Sequence, residues 1–264
     1  MSAQGVVYVA TGAAYFEEAC RSAESLKQRS PRLPITLFSD QKAKKGLFDD
    51  VVPVSDAHFG CRDKIAYMRM SPYERTLYLD TDTYVCGDLS DLFSLLEHFD
   101  AAAAHAPNRR GYSGQGAPES FPEFQGGVLL FKRSAAVLDL LDRWLKAYEA
   151  HSAIGAAGVP QRGYEHKQLK VYDQPLLREL LYRSTLRVAT LPPEYNCRVG
   201  SRGYVCDEVK VLHGRHYPDL AGLARKINAT RGRRLFMISG KSVRVVPSDR
   251  EVVFMVTRER NGIK

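Results

Sequence analysis

Two aspartates one residue apart, Asp80 and Asp82, follow the short apolar stretch Thr76–Leu79. This stretch predicts a buried strand, and ligands of open α/β sheets bind beyond the carboxyl ends of the strands. Carboxylate oxygens placed there suit a hard divalent cation such as Mn²⁺ or Mg²⁺, which neutralises a pyrophosphate. An Asp-x-Asp triplet is by itself equally typical of a solvated turn, so its surroundings must decide between the two interpretations.

The chain around the triplet alternates short strands with amphipathic helices. This order is typical of an α/β domain whose largely parallel sheet is covered on both faces. The expected strands are Val6–Ala10, Pro34–Ser39, Val51–Val54, Thr76–Leu79, Phe99–His105, Gly127–Phe131, Leu186–Thr190 and Val209–Leu212. The expected helices are Tyr15–Gln28, Asp63–Met70, Ser90–Leu96, Ser134–Ala150 and Gln174–Tyr182.

Composition indicates a globular protein without a membrane span. Of the 264 residues, 44% are hydrophobic and 26% charged, which excludes disordered and fibrous classes. The longest apolar runs are strand-sized, well short of the ~20 residues that cross a bilayer. The five cysteines show no C-x-x-C spacing, and no basic stretch precedes Val6. We therefore expect free thiols, no signal peptide and a cytoplasmic location.

The net charge of +8 lies in a C-terminal segment. Residues 221–264 hold eleven Lys or Arg and three Asp or Glu, so the first 220 residues are neutral. We predict a main domain at 1–220 and a basic appendage at 221–264 made of a helix and a β-hairpin, whose strands are Ser242–Val246 and Val252–Val256. The tail could bind an anionic membrane surface, bind nucleic acid without specificity, or simply pack on the domain.

The segment 62–93 resembles the donor-binding core of the GT-A glycosyltransferases. The resemblance is closest to family 8, the group of glycogenin and the bacterial lipooligosaccharide galactosyltransferases. It consists of Lys64 in a helix, Tyr73-Glu74-Arg75 before the strand, the Leu-Tyr-Leu-Asp-x-Asp strand, and an Asp-Leu…Leu-Phe helix after it. A resemblance to this family implies a GT-A fold, which is Rossmann-like.

Further parts of the family pattern follow in order and extend the resemblance over about residues 6 to 220. The first strand and turn end at Tyr15, where the family stacks a tyrosine on uracil. Residues 125–131 resemble its Asn-Ser-Gly-Val strand, with Gln125 in place of Asn. Residues 172–177 resemble its Asp-Gln-x-Leu-Leu motif, residues 191–196 its Leu-Pro-x-x-Tyr-Asn, and His213 stands where a histidine completes the metal shell.

The resemblance implies roles for individual residues. The metal ligands would be Asp80, Asp82 and His213, and the catalytic groups would be Asp173, Gln174 and Lys64. The donor would contact Thr11, Tyr15, Lys64, Thr81, Gly214 and Arg215.

Simpler interpretations remain beside these roles. His213 could be a buried strand-end histidine with His216 as the ligand, Asp173 could be a helix N-cap, and Lys64 and Arg215 could be solvated charges. The family's His-x-x-Gly-x-x-Lys-Pro-Trp is absent here. Its diphosphate-binding lysine is missing, and Arg215 is the nearest cation to replace it.

The predicted reaction is metal-dependent transfer of a hexosyl group from a nucleotide-diphosphate sugar. Tyr15 and the family resemblance favour a UDP-linked donor, and family 8 implies retention of configuration. An inverting enzyme would need a carboxylate base, for which Asp207 and Glu208 are candidates. The acceptor would be a glycan, a lipid-linked molecule or a small molecule. No specific nucleic acid is expected, although the basic tail is compatible with peripheral attachment to the inner face of a membrane.

The loops at 107–122 and 152–168 are candidates for a lid or an acceptor wall. They contain basic residues that would suit an anionic acceptor, although ordinary solvated loops have the same composition. These residues are Arg109, Arg110, Arg162, His166 and Lys167.

Two other classes of protein compete with this interpretation. A sugar-nucleotide nucleotidyltransferase would carry a cationic glycine-rich loop after the first strand, but residues 11–15 read Thr-Gly-Ala-Ala-Tyr without a cation. A non-catalytic nucleotide-sugar-binding module of the same fold would bind a donor and release no nucleotide. Turnover distinguishes that module from an enzyme.

Overall fold

The computed structural model describes residues 3–43, 46–106, 116–153, 173–201, 203–215, 219–239 and 242–247. Several residues of the sequence predictions lie outside these ranges. They are Arg109, Arg110, Arg162, His166, Lys167, His216 and the expected strand Val252–Val256.

The described residues form the following strands and helices. The strands are β1 (Gln4–Ala10), β2 (Ile35–Ser39), β3 (Asp50–Pro53), β4 (Arg75–Leu79), β5 (Thr83–Val85), β6 (Ala101–His105), β7 (Phe124–Lys132), β8 (Val188–Leu191), β9 (Cys197–Arg198), β10 (Gly203–Val205), β11 (Val211–His213), β12 (Arg234–Ser239) and β13 (Ser242–Pro247). The helices are α1 (Ala13–Arg29), α2 (Cys61–Met68), α3 (Ala135–Ala153), α4 (Asp173–Tyr182) and α5 (Leu220–Asn228), with 3₁₀ turns at Ser90–Glu97 and Pro193–Asn196.

A seven-stranded sheet in the order β3-β2-β1-β4-β7-β6-β8 forms the centre of the fold. Its pairs are parallel except where β7 pairs with β4 and β6. The predicted α/β class with a mostly parallel sheet is therefore confirmed. The central strands β1 and β4 are buried along nearly their whole length, as expected for strands covered on both faces.

Helices cover the sheet on both faces. Alternate residues of each strand point to opposite faces, so each strand contributes side chains to two cores. Val6 and Tyr8 of β1 face a core that includes α1, while Val7 and Val9 face a second core with α2, α3 and α4. In α1 the buried Ala19, Ser22, Ala23 and Leu26 recur at helical spacing and form one stripe against the sheet. The result is a three-layer α/β/α arrangement.

The C-terminal part of the described chain has its own small core. Cys86, Cys197 and Leu212 pack there with Leu223 and Ile227 of α5. Strands β10, β12 and β13 form a three-stranded sheet beside it. The predicted division of the chain at residue 220 stays a prediction.

The predicted strand Ser242–Val246 exists as β13, and within the described residues it pairs with β12, with Ser239 opposite Ser242. β12 also pairs with β10. The predicted hairpin with Val252–Val256 stays a prediction, because those residues lie outside the described ranges. Membrane attachment through the basic tail remains a prediction. Among the described residues, no helix combines the length and the apolar character needed to cross a lipid bilayer.

Candidate active site

Strand pairing brings Asp82 and His213 together. β4 ends at Leu79, the turn Asp80-Thr81-Asp82 follows, and β5 begins at Thr83. β5 pairs antiparallel with β11, with Thr83 opposite His213. The Gly214 N–H then donates to the Asp82 carbonyl at 3.0 Å. The backbone thus fixes His213 next to the acidic turn, 131 positions away in sequence.

Asp80, Asp82 and His213 form a compact cluster in which one ligand atom from each residue lies within 4.8 Å of the others. His213 Nε2 lies 3.5 Å from Asp80 Oδ2 and 3.3 Å from Asp82 Oδ1. The imidazole is 1% exposed, and its Nδ1 lies 2.8 Å from Asn196 Oδ1. Nδ1 thus faces that amide oxygen, while Nε2 faces the two carboxylates and the Arg198 guanidinium.

The electrostatics of the cluster keep Asp82 ionised. Burial tends to raise the pKa of Asp82, but hydrogen bonding and charge at His213, together with Arg215 and Arg198, hold it well below its usual range. An ionised carboxylate is the form that binds a cation.

These residues fit a divalent cation. Two carboxylates and one imidazole nitrogen are a donor set that Mn²⁺ accepts and Mg²⁺ partly shares. Gly127 of the neighbouring strand β7 leaves room for two of these residues. A Cβ at Gly127 would overlap the His213 ring and come within 2.5 Å of Asp80 Oδ2. Asp80 N donates to the Gly127 carbonyl at 2.8 Å, so this close approach belongs to the regular strand pairing.

Gly127→Ala should therefore weaken divalent-ion binding at least tenfold, because the new methyl group pushes His213 and Asp80 apart. The measurement is the rise in melting temperature during a Mn²⁺ titration, which reports binding to the folded state. Gly200→Ala is the matched control, since nothing lies within 4 Å of a Cβ at Gly200. An unchanged Mn²⁺ response in Gly127→Ala would contradict the assigned ligand set.

Lys64 of α2 links the acidic turn to the start of α4. Its Nζ lies 3.2 Å from Asp80 Oδ1 and 2.9 Å from Asp173 Oδ2. Burial of the ammonium group tends to lower the pKa of Lys64, but the carboxylates of Asp173 and Asp80 outweigh that effect and raise it well above its ordinary value. Trp144 Nε1 holds the Asp173 carbonyl at 2.8 Å. Lys64 is therefore a fixed positive charge between two carboxylates.

Arg215 lies on the other side of the acidic turn. Its Nε donates to Glu18 Oε1 at 2.9 Å, its Nη2 lies 3.7 Å from Asp82 Oδ1, and its guanidinium carbon lies 4.8 Å from the centre of the Tyr15 ring. Burial tends to lower the pKa of Arg215, but Glu18 and Asp82 raise it overall. Thr81 Oγ1 also donates to Glu18, at 2.8 Å. The structure thus brings Tyr15, Thr81 and Arg215 into one neighbourhood.

The other predicted residues are engaged with protein groups. Thr11 is buried and its hydroxyl donates to Asp63 Oδ2 at 2.7 Å. The Gln174 amide donates to Glu123. A Cβ at Gly214 would overlap the Val199 side chain, so close packing favours glycine there.

Asp207 and Glu208 lie elsewhere. They line a cavity of about 490 Å³ together with Glu194, Lys210 and Arg234, and none of the acidic-turn residues lines it. Glu208 also pairs with Lys210 at 2.7 Å.

Four further residues hold the cluster. The sequence motifs contain Tyr78 and Asn196 but give them no role there, and Glu18 and Arg198 lie outside the motifs. Tyr78 donates its hydroxyl to Asp80 Oδ1 at 2.8 Å, and Arg198 Nη1 lies 2.9 Å from His213 Nε2. The contact of Tyr78 with Asp80 could have been predicted from the sequence, because residues two apart along a strand lie on the same face. Glu18, on the amphipathic helix α1, had no such signal.

Several solved structures with a similar fold are glycosyltransferases. GlyE of Streptococcus pneumoniae TIGR4 aligns over 76% of this chain and 48% of its own, with 22% identity and a TM-score of 0.51. An active-site mutant of LgtC aligns over 84% of this chain and 93% of its own, with 16% identity and a TM-score of 0.55. The bifunctional glycosyltransferase WbbM aligns over 76% of this chain and 40% of its own, with 17% identity and a TM-score of 0.50.

The chain therefore has the GT-A glycosyltransferase fold, and the resemblance indicated by its motifs is confirmed at the level of the fold. It spans about half the length of GlyE, less of WbbM, and nearly all of LgtC. No protein-family model matches the sequence, and no curated protein matches it.

Proposed function

We propose that this protein is a metal-dependent glycosyltransferase that uses a nucleotide-diphosphate sugar as donor. The observation that carries the proposal is the Asp80–Asp82–His213 cluster, whose ligand atoms lie within 4.8 Å of one another. It is placed beyond the carboxyl end of β4 in a GT-A fold, where α/β sheets bind their ligands. Lys64 and Arg215 flank the cluster.

The proposed chemistry consists mainly of stabilising negative charge. Asp80, Asp82 and His213 would hold Mn²⁺ or Mg²⁺, which when bound acts as a Lewis acid toward the diphosphate. Lys64 and Arg215 supply fixed positive charges that need no reorganisation as the glycosidic bond breaks. Both cations are held by carboxylate partners before any donor arrives, so their positions are set in advance.

Asp173 and Gln174 are the proposed contacts of the donor sugar. They begin α4, and Asp173 is tied to Asp80 through Lys64. The Asp173 side chain is 12% exposed, so it is poorly hydrated and available for a hydrogen bond to a sugar hydroxyl. We propose retention of configuration from the resemblance to family 8. The two acids considered as the base of an inverting reaction, Asp207 and Glu208, line a different cavity.

The donor and acceptor classes follow from the residues around the cluster and from the structural relatives. The Tyr15 ring lies beside Arg215, and we propose that it stacks on the base of the donor nucleotide. We propose UDP as that nucleotide. One LgtC structure is described as a complex with donor and acceptor sugar analogues, and we propose by analogy that this chain also accepts a glycan or a sugar-bearing molecule. The missing family lysine is replaced in this proposal by Arg215, whose planar fork suits a phosphate group.

The test is nucleotide release from a panel of UDP- and GDP-sugars, with Mn²⁺ and with chelator. We expect slow hydrolysis of one donor that requires the divalent ion, because water can replace the acceptor. Absence of hydrolysis together with donor-dependent stabilisation would favour the binding-module alternative. Absence of both would show that the motif interpretation is wrong.

A further inference from the structure

Phe59 combines two unusual properties. It is the only non-glycine residue in the described ranges with a positive φ, at 55°. The residue is also 58% exposed, the largest value among the large apolar residues that the structure describes. A bulky residue in the left-handed region is strained, and an exposed phenyl ring gains nothing from burial. Neither property contributes to folding stability.

A buried carboxylate fixes this conformation. Asp63 is 1% exposed, and its Oδ2 accepts from the backbone N–H groups of His58 at 2.9 Å and Phe59 at 2.8 Å. The same oxygen accepts from the Thr11 hydroxyl at 2.7 Å. Three hydrogen-bond donors on one carboxylate hold the backbone of this loop in place. A strained φ persists where surrounding contacts hold the backbone in this way. Thr11 also ties the loop to the end of β1.

The turn itself does not require phenylalanine. The Asp63 carboxylate binds backbone N–H groups, which any residue other than proline supplies. Glycine would adopt a φ of 55° without strain, and asparagine would do so at a lower cost. The phenyl ring must therefore be explained by what it contacts.

Phe59 and Tyr15 border the same small volume beside Gly12. A Cβ built on Gly12 would lie 3.4 Å from Phe59 Cδ1 and 4.0 Å from Tyr15 Cδ2. Gly12 has a φ of 91°, so a side chain is disfavoured there by its backbone as well. Atoms of both aromatic rings thus lie within 4.0 Å of a position that glycine keeps free of a side chain, at the carboxyl end of β1.

We propose that Phe59 is a base-stacking residue that forms a second aromatic wall of the nucleotide site beside Tyr15. This inference rests on the proposed function, since it assumes a nucleoside diphosphate donor. Aromatic rings stack on the flat face of any base. Phe59 therefore contributes affinity for the nucleoside part and none for the diphosphate.

The experiment compares wild type with Phe59→Gly and Phe59→Tyr by calorimetric titration in Mn²⁺. The ligands are UDP, GDP and inorganic pyrophosphate, which has no base. Phe59→Gly should bind the preferred nucleoside diphosphate about tenfold more weakly, the effect expected when one base–aromatic contact is lost. Its affinity for pyrophosphate should be unchanged, and Phe59→Tyr should retain wild-type affinity for both.

The stability of Phe59→Gly separates a binding role from a structural one. Its melting temperature should stay within about 2 °C of wild type, because glycine relieves the strained φ. Equal nucleotide affinity in wild type and Phe59→Gly, or an equal loss for pyrophosphate, would overturn the inference while leaving the proposed function intact. A wild-type protein that binds neither nucleotide would overturn the proposed function, and this inference with it.

Discussion

Asp82→Ala is expected to abolish donor hydrolysis, with a fall in rate of about 10³-fold or more. Asp82 supplies one of the two carboxylates of the cluster and is 10% exposed at its side chain. Removing it leaves Asp80 and His213 as a two-residue site and removes one of the two carboxylates that face Arg215. Loss of one preorganised electrostatic group in an active site costs on the order of 10²–10³ in rate, and loss of a metal ligand adds to that. Turnover of the preferred donor in Mn²⁺ is the measurement.

A second readout on the same variant reports the cation directly. The Mn²⁺-dependent rise in melting temperature should disappear in Asp82→Ala and also in Asp82→Asn, which keeps the shape but removes the charge. Asp139→Ala is the control, because Asp139 is an exposed acid on α3 that pairs only with Arg143 among the contacts described. Wild-type hydrolysis by Asp82→Ala would exclude the cluster as the reaction centre.

The sequence was sufficient to predict the sheet, its helices and the acidic turn. These features depend on local patterns: the apolar run before Asp80 predicts a strand, and α1 shows apolar spacing typical of a helix. Every strand and helix expected within residues 1–220 has a counterpart in the described structure. The family motifs also placed Lys64, Asp173 and His213 in one site, and the structure brings all three next to the acidic turn.

The sequence was insufficient where distant segments pair. β5 is three residues long and carries no periodicity that would reveal its partner. Its antiparallel pairing with β11 decides that Asp82 meets His213, and the Glu18 contact with Thr81 depends on how α1 lies against that turn. The sequence did not reveal β12 for a related reason. Its pairing with β10 is a long-range contact that no local pattern specifies.

Lys64→Met is expected to lower the rate of donor hydrolysis about 100-fold while leaving Mn²⁺ binding intact or stronger. The ammonium group lies between the carboxylates of Asp80 and Asp173, at 3.2 and 2.9 Å. Methionine fills a similar volume without the charge. The fixed cation that would face the donor is then lost, which costs rate. Loss of a positive charge next to Asp80 makes the site more attractive to a divalent ion. Asp82→Ala should lose both properties, so the two variants separate a donor-facing charge from a metal ligand.

The same substitution should destabilise the fold when no divalent ion is present. Breaking a buried ion pair leaves an unpaired carboxylate and costs about 3 kcal/mol at the low end, which lowers the melting temperature by roughly 6–12 °C in a chain of this size. Mn²⁺ should restore part of the lost melting temperature, because the bound ion would neutralise the Asp80 carboxylate that no longer faces Lys64.

Lys132→Met is the matched control, since Lys132 pairs with Asp100 at 2.8 Å at the end of β7 and away from the cluster. It should lose some stability, show no recovery with Mn²⁺ beyond that of wild type, and hydrolyse donor at the wild-type rate. If Lys64→Met also kept the wild-type rate, Lys64 would be a structural ion pair. The proposed role of fixed positive charge would then rest on Arg215 alone.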